Sequence, residues 1–186
     1  IYPSEPGLLQ SLFPFLTKLP RSLLPGRLKF IKDFSDTSKP VGAAFNNPSL
    51  ISQDGMEANT KQWRNAEIPA ANGHGTARSI AKLYGILANG GSRDGIHVLK
   101  PETIEMSRLP QSEGKDLVLG GMNTKFGLGF MLGNENISMG PNIKSFGHGG
   151  AGGSLGFCDP DNHVSLGFVM NQMHPGITAW KTATDV

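Results

Sequence analysis

The sequence predicts an α+β fold in which an antiparallel β-sheet is covered by helices. Two helical patterns come first, over residues 76–88 and 101–108, and strand-like patterns follow over 125–132 and towards the end of the chain. There the apolar run 166–170 follows the turn-like residues 159–162, which predicts a strand, a turn and a strand. Helices and strands that are grouped along the chain favour an antiparallel sheet over a parallel βαβ fold.

Both predicted helices carry end signals. Thr76 is a suitable N-cap for the first helix, and Asn89-Gly90-Gly91 predicts that this helix stops with a left-handed residue. The second helix is predicted to run from Pro101 to about Arg108. Proline suits the first turn of a helix, and Glu102 lies near the positive end of the helix dipole.

The segment from residue 145 to residue 157 contains six glycines, with His148 at its centre. Glycine weakens a strand because it has no side chain to pack and loses more entropy on folding. Such density therefore predicts that another molecule lies close against the backbone. We expect this segment to be the edge of an antiparallel sheet that a substrate approaches.

Three blocks of the sequence, in this order, resemble the serine β-lactamase-like family, which includes penicillin-binding proteins, class C β-lactamases and related esterases. The blocks are Gly73–Gly91, Phe126–Phe130, and Phe146–Ser154 running on to Gly167–Asn171. The resemblance covers roughly Asn72 to Met173 and implies the C-terminal portion of a serine hydrolase. Members of this family have a serine followed three residues later by lysine, then a tyrosine motif, then a Lys-Thr-Gly triplet.

The resemblance implies roles for the third block, where residues 148–150 take the position of the triplet. Ala151 would donate its backbone N–H to the oxyanion hole, and His148 would position the substrate or relay a proton. The residues implied to bind substrate are Gly149, Gly150, Gly152 and Ser154. Histidine in place of lysine weakens the fixed positive charge that would hold a β-lactam carboxylate. We therefore expect ester, amide or peptide substrates and no cofactor.

The nucleophile motif of the family is not found in its expected setting. Ser79-Ile-Ala-Lys82 has the spacing, but it lies inside the first predicted helix and downstream of the family motif, so we expect solvent-facing helix residues there. The apolar stripe of that helix is formed by Ile80, Leu83, Ile86 and Leu87. We expect a C-terminal portion of a domain, incomplete at both ends and inactive alone. The alternative is a catalytically inactive β-lactamase-like domain used for binding or assembly.

The first 58 residues differ in character from the rest. They are predicted to be a Pro-rich, apolar and basic insertion or cover with a linker, and residues 59–186 to be the C-terminal part of the same domain. The pattern of residues 8–31 is consistent with three interpretations. The segment is a mobile cover over the cleft, a contact with a membrane surface, or an ordinary insertion packed on the rest of the domain.

Composition excludes several other classes. The chain is 38% hydrophobic and 17% charged with a net charge of +2, and it has no dense basic face interleaved with aromatic residues, so nucleic acid is not an expected partner. The five histidines lack zinc-site spacing, so we expect no metal. Cys158 is expected to be a small apolar filler. The expected partners are a small-molecule or peptide acyl substrate and the missing N-terminal part of the domain.

Overall fold

A computed structural model gives the structure of the chain and describes residues 2–3, 19–24, 29, 32–34, 36–46 and 59–173. The chain divides into two compact units, Ile1–Gly73 with Asp116–Met122 and His74–Lys115 with Asn123–Val186. The boundary predicted after residue 58 lies outside the described residues, as does most of the segment 8–31. No helix in the described ranges is long and apolar enough to cross a membrane.

The first unit holds short elements. They are β1 (Tyr2–Pro3), a 3₁₀ helix (Arg21–Leu23), α1 (Pro40–Asn46) and α2 (Lys61–Asn65). Thr60 caps α2, since its hydroxyl accepts the N–H of Trp63 at 3.1 Å. The Asn72 side chain donates to the carbonyl of Trp63 at 2.8 Å and accepts the N–H of Ile68 at 3.0 Å. These bonds close the loop that follows α2.

The described part of the second unit contains two helices, α3 (Ala77–Ala88) and α4 (Pro101–Ser107), and both were expected from their end signals. At the start of α3 the Thr76 hydroxyl accepts the N–H of Ser79 at 3.2 Å, and the Ser79 hydroxyl accepts the N–H of Thr76 at 2.9 Å. This reciprocal arrangement is a capping box, which satisfies two backbone donors that the helix cannot pair by itself.

The end of α3 is closed by two glycines. Gly91 donates its N–H to the Ile86 carbonyl at 2.8 Å, and Gly90 donates to the Leu87 carbonyl at 3.2 Å. Both glycines have positive φ, 72° for Gly90 and 85° for Gly91. The pattern is a Schellman motif, so the left-handed stop predicted from the sequence is confirmed.

Six strands form one antiparallel sheet in the order β4-β5-β6-β7-β8-β9, so each strand pairs with its neighbour along the chain. Their bounds are Ser112–Lys115, Asn123–Phe126, Met131–Leu132, Phe146–Gly149, Leu155–Asp159 and Val164–Phe168. The remaining strands are β2 (Ser92–Arg93) and β3 (Ile96–His97), which form a separate hairpin, and β10 (Gln172–Met173). The predicted α+β class with an antiparallel sheet is confirmed.

The single strand expected over 125–132 was wrong, because the structure has two strands joined by a tight turn. β5 ends at Phe126 and pairs there with Met131, the first residue of β6. A carbonyl oxygen of α4 lies 2.1 Å from the place where a Cβ of Gly127 would be, and Gly129 has a φ of 80°. Only glycine meets both conditions without strain, so the glycines mark a reversal of the chain.

Helix α3 lies directly on strands β8 and β9. A Cβ on Gly156 would come within 2.4 Å of the Tyr84 ring, and a Cβ on Gly167 would come within 2.4 Å of the Ala77 carbonyl oxygen. The helix residues nearest to β9 are small, namely Ala77, Ala81 and Gly85. Small residues on both elements therefore allow the backbones to approach closely, as in other tightly packed interiors.

This close approach changes which residues of α3 face the core. Ile86 and Leu87 are buried as expected from the apolar stripe, and Ile80 lies against the two strand glycines. Leu83 was wrongly placed in that stripe, since it is 47% exposed. The face towards the sheet carries the small residues, Ile80 and the flat ring of Tyr84, so Leu83 lies outside it.

The two faces of the sheet carry separate apolar clusters, as the alternation of side chains along a strand requires. The cluster beneath the helices contains Leu87, Ala88, Ile104, Leu132, Phe146 and Cys158. The cluster on the opposite face contains Met131, Met139 and Leu155. Cys158 is fully buried in the first cluster, in agreement with its expected role as a small apolar filler.

The turn between β8 and β9 is organised around Asp159, whose side chain is 1% exposed. Its carboxylate accepts the side-chain amides of Asn142 at 2.5 Å and Asn162 at 2.9 Å, and it also accepts the backbone N–H groups of Asp161 and Asn162. Burial alone would raise the pKa of Asp159, but these hydrogen bonds outweigh it and hold the pKa below its usual value.

Gly167→Ala tests the contact between α3 and β9. The new Cβ would lie 2.4 Å from the Ala77 carbonyl oxygen and 2.7 Å from the Ala81 nitrogen, and both are backbone atoms that can yield only if the helix moves. We expect the free energy of unfolding to fall by about 1–3 kcal/mol, measured by urea denaturation. Gly133→Ala is the matched control, because the nearest described atom to its Cβ is 3.6 Å away. Equal losses in the two variants would contradict the contact.

The Asp159 network gives the fold a pH dependence whose sign is fixed. Because the folded pKa lies below the unfolded value of about 3.9, this contribution is complete above that pH and is lost as the pH falls through the folded pKa. Asp159→Asn should lower the free energy of unfolding by about 1–3 kcal/mol at neutral pH. The difference in this free energy between variant and parent should decrease towards pH 3. Asp161→Asn is the control, since Asp161 bonds to Asp159 through its backbone N–H and its own carboxylate makes an exposed ion pair with Lys144, a kind of pair that contributes little to stability. The free energies are measured by urea denaturation at each pH. A difference between variant and parent that stays constant with pH would refute this role.

Candidate functional site

β7 pairs with β6 as well as with β8, so the sheet edge expected for this segment was wrong. His148 lies at the exposed end of β7, where it pairs in register with Gly156 of β8. Its Nδ1 lies 2.5 Å from the carbonyl oxygen of Gly149. A carbonyl oxygen can only accept, so this contact places the proton on Nδ1 and leaves Nε2 of the neutral ring as an acceptor. The imidazole also packs against the ring of Phe126, with centroids 5.9 Å apart and planes tilted by 41°. Phe126 therefore helps to fix the orientation of the imidazole.

The chain leaves β7 through a tight turn that contains the other predicted site residues. The N–H of Gly150 donates to the carbonyl of Ser154 at 2.8 Å, and the N–H of Gly153 donates to the carbonyl of Gly150 at 3.1 Å. Gly152 and Gly153 have φ of 85° and 114°, which other residues adopt only with strain. The turn is thus closed by its own backbone before Leu155 resumes pairing in β8.

Ala151 lies at the exposed tip of this turn. The hydrogen bonds that close the turn use the N–H groups of Gly150 and Gly153. Within the described part of the chain, the N–H of Ala151 has no acceptor and is available to an external oxygen. The structure therefore brings His148 and the Ala151 N–H to the same end of the sheet, beside the backbone of residues 149–152.

The glycine crowding of this segment is largely explained by the chain itself. A Cβ on Gly147 would lie 2.2 Å from the Gly156 carbonyl, and a Cβ on Gly150 would lie 2.2 Å from the Ser154 hydroxyl. At Gly152 a Cβ would come within 2.8 Å of Met173. At these positions, and at Gly156 beneath Tyr84, the close neighbour inferred from glycine density is another part of the protein.

Comparison with known proteins identifies the family. A family model described as beta-lactamase matches residues 32–183, which is most of the chain. The chain belongs to the beta-lactamase family. The resemblance drawn from the three sequence blocks is therefore confirmed.

Individual relatives agree with this assignment. The chain is 41% identical over 108 residues to the esterase/beta-lactamase LipL of Mycobacterium tuberculosis (strain ATCC 25618 / H37Rv), and the match covers 58% of this chain and 24% of LipL. A family VIII carboxylesterase superposes with a TM-score of 0.68 and 36% identity, over 77% of this chain and 38% of that one. A penicillin-binding protein homolog from Caulobacter crescentus gives 0.63 and 39% identity, over 74% and 35%. The chain thus spans well under half of each of these relatives.

Ser79-Ile-Ala-Lys82 has the spacing of the family's serine and lysine motif, but its serine has a structural role as part of the capping box of α3. The Ser79 hydroxyl donates to the Thr76 carbonyl at 2.8 Å while it caps the Thr76 N–H. Both lone pairs and the proton of this serine are therefore engaged at the start of α3. Lys82 is exposed on the same helix, as the sequence predicted.

Two titratable side chains beneath the site are unsuited to chemistry at neutral pH. Burial raises the pKa of Tyr84 to about 12, and the neighbouring Cys158 adds to the shift. Burial also raises the pKa of Cys158 to about 12, against the opposing charge of Arg108. A thiol this rarely ionised is a poor nucleophile, and the tyrosine is a poor general base. Both act as packing residues of the core.

The sequence did not indicate two residues that shape the site. Phe126 meets the His148 ring although it lies two strands away in the sheet order, and Met173 lies against Gly152 from the end of the described chain. Phe126 opens the second of the three sequence blocks, but its contact with His148 and that of Met173 with Gly152 are revealed only by the tertiary structure. No group of three histidine, cysteine, aspartate or glutamate side chains within the described ranges could hold a metal ion.

Proposed function

We propose that this chain forms the substrate wall of a hydrolase that works through an acyl-enzyme on ester, amide or peptide substrates. The observation that carries the proposal is the uncommitted N–H of Ala151, held at the tip of a closed turn beside the exposed His148. Membership of the beta-lactamase family supports hydrolase chemistry. The names of two relatives, an esterase/beta-lactamase and a carboxylesterase, favour ester substrates among the three classes.

In the proposed reaction a serine hydroxyl attacks the carbonyl carbon of the substrate and its proton passes to a neighbouring base. The carbonyl oxygen becomes an oxyanion, and the N–H of Ala151 donates to it. Collapse of this intermediate releases the alcohol or amine, which takes the proton, and leaves an acyl ester on the serine. Water then attacks that ester and releases the acid. The serine, with its lysine and tyrosine partners, lies outside these 186 residues in this proposal.

His148 contributes an acceptor to the proposed site. With its Nδ1 proton donated to the Gly149 carbonyl, Nε2 of the neutral ring accepts a hydrogen bond from a substrate hydroxyl or amide, or from the attacking water. The Phe126 ring holds the imidazole from the side. The backbone of Gly149, Gly150 and Gly152, together with Ser154, then forms the flat surface on which the acyl group lies.

The proposal is tested by treating the native protein that contains this chain with a fluorophosphonate ester. An activated serine displaces fluoride and gains the phosphonyl group, so intact-mass spectra of every polypeptide in the preparation should show one species with that added mass. Heat-denatured protein is the control and should remain unlabelled. If only an unlabelled species of 19.8 kDa is present, the acyl-enzyme is refuted and a catalytically inactive binding domain is supported.

Ala151→Pro tests the proposed oxyanion donor directly, because proline has no N–H. We expect kcat/KM for a p-nitrophenyl ester to fall by about 10²-fold to 10³-fold, the usual effect of losing one such donor. Ala151→Ser keeps the N–H at this exposed position and should retain activity. Thermal unfolding of both variants shows whether the turn survives. Equal activity of a folded Ala151→Pro protein would exclude this N–H from the oxyanion hole.

A further inference from the structure

The hairpin of β2 and β3 brings together a serine and a histidine that are not part of the proposed substrate wall. Its turn residues Asp94 and Gly95 both have positive φ, 52° and 77°, as in a type I′ turn, which matches the twist of a two-residue hairpin loop. The register places Ser92 opposite His97, and the serine Oγ lies 2.7 Å from the imidazole Nδ1. The turn geometry therefore fixes this pair.

The pair opens into a surface groove of about 420 Å³. The groove is lined by Ser92, His97, Val98, Leu99, Lys100 and Pro101. The segment that forms its floor is held in place, since the N–H of Val98 donates to the Gly91 carbonyl at 2.9 Å. The polar groups of the lining are thus a hydroxyl, an imidazole and an ammonium group.

No carboxylate is among these lining residues. Asp94, at the tip of the hairpin, lies 3.6 Å from the Arg93 guanidinium, so its charge is already paired. Glu102, on the first turn of α4, does not line the groove. Lys100 is therefore the residue with a permanent charge among those that line the groove, and its charge favours an anion.

The hydrogen bond between Ser92 and His97 determines which protons face the groove. In the neutral tautomer whose proton is on Nε2, the Ser92 hydroxyl donates to Nδ1 and Nε2–H is the ring's one donor. When the ring is protonated, Nδ1–H donates to Ser92 instead, and the hydroxyl proton becomes free for a ligand. Protonation therefore adds both a charge and a second donor on the same side of the hairpin.

We propose that this groove binds a phosphate group, either free or as a phosphomonoester, and that binding is coupled to protonation of His97. A tetrahedral oxyanion offers several acceptor oxygens in different directions, and the hydroxyl, the imidazolium and the ammonium group approach from different residues of the lining. Charge-assisted hydrogen bonds of this kind are the stronger class. Protonation of His97 should therefore strengthen the binding of the phosphate dianion, the form that exists above its second pKa of about 6.

The test follows the imidazole C–H resonances of the chain by NMR during a pH titration, with and without inorganic phosphate at constant ionic strength. His97→Gln assigns the His97 signal. We expect saturating phosphate to move the midpoint of the His97 titration up by about half a pH unit, and the His74 midpoint to move less. The titration is repeated with glycerol phosphate in place of inorganic phosphate. The compound that binds more tightly shows whether the groove prefers a phosphomonoester or free phosphate.

Two variants distinguish phosphate binding in the groove from a general ionic effect of phosphate on the histidines. Ser92→Ala and Lys100→Met should each weaken phosphate binding by about five-fold or more, whereas Lys115→Met, an exposed lysine on β4, should leave it unchanged. All three are surface changes, and thermal unfolding confirms that they fold. Equal shifts at His97 and His74, or parent-like binding in Ser92→Ala and Lys100→Met, would overturn the proposal.

Discussion

The close approach of helix α3 to strands β8 and β9 is the contact on which the second unit depends. It is possible only because Gly156 and Gly167 have no side chains and because the helix presents Ala77, Ala81 and Gly85 to the same place. This contact sets the depth at which Tyr84 packs and where the cluster around Phe146 and Cys158 forms. The strand that carries His148 pairs directly with β8, so its position depends on the same contact.

The proposed site region is held together by contacts that are internal to the protein. The turn after β7 is closed by its own hydrogen bonds, Gly150 fits around the Ser154 side chain, and Met173 lies against Gly152. The glycine-rich sequence therefore serves first to let backbone segments approach one another, and a free N–H at the tip of the turn is a consequence of that closure. A donor that is fixed before a substrate arrives needs no reorganisation during a reaction, which is the condition for electrostatic stabilisation.

The sequence predicted those features that depend on neighbouring residues and missed those that depend on distant ones. The ends of α3 were predictable because Thr76, Ser79 and the two glycines act within one turn of the helix. The reversal at Gly127 was not, since it depends on a carbonyl of α4 that approaches from elsewhere in the fold. Leu83 was misplaced for the same reason. The site role of His148 is implied by family resemblance and stays a prediction, whereas its contact with Phe126 required the structure.

The histidine at position 148 gives the proposed hydrolase a different selectivity from that of a lysine. A lysine ammonium group only donates and would attract an anionic carboxylate on the substrate. His148 has its Nδ1 proton directed to the Gly149 carbonyl, so the neutral ring presents an acceptor and no charge. An acceptor at this wall disfavours a carboxylate and favours a neutral substrate that carries a hydroxyl or an amide N–H. Under the proposed function, this wall would therefore fit a neutral ester better than a β-lactam acid.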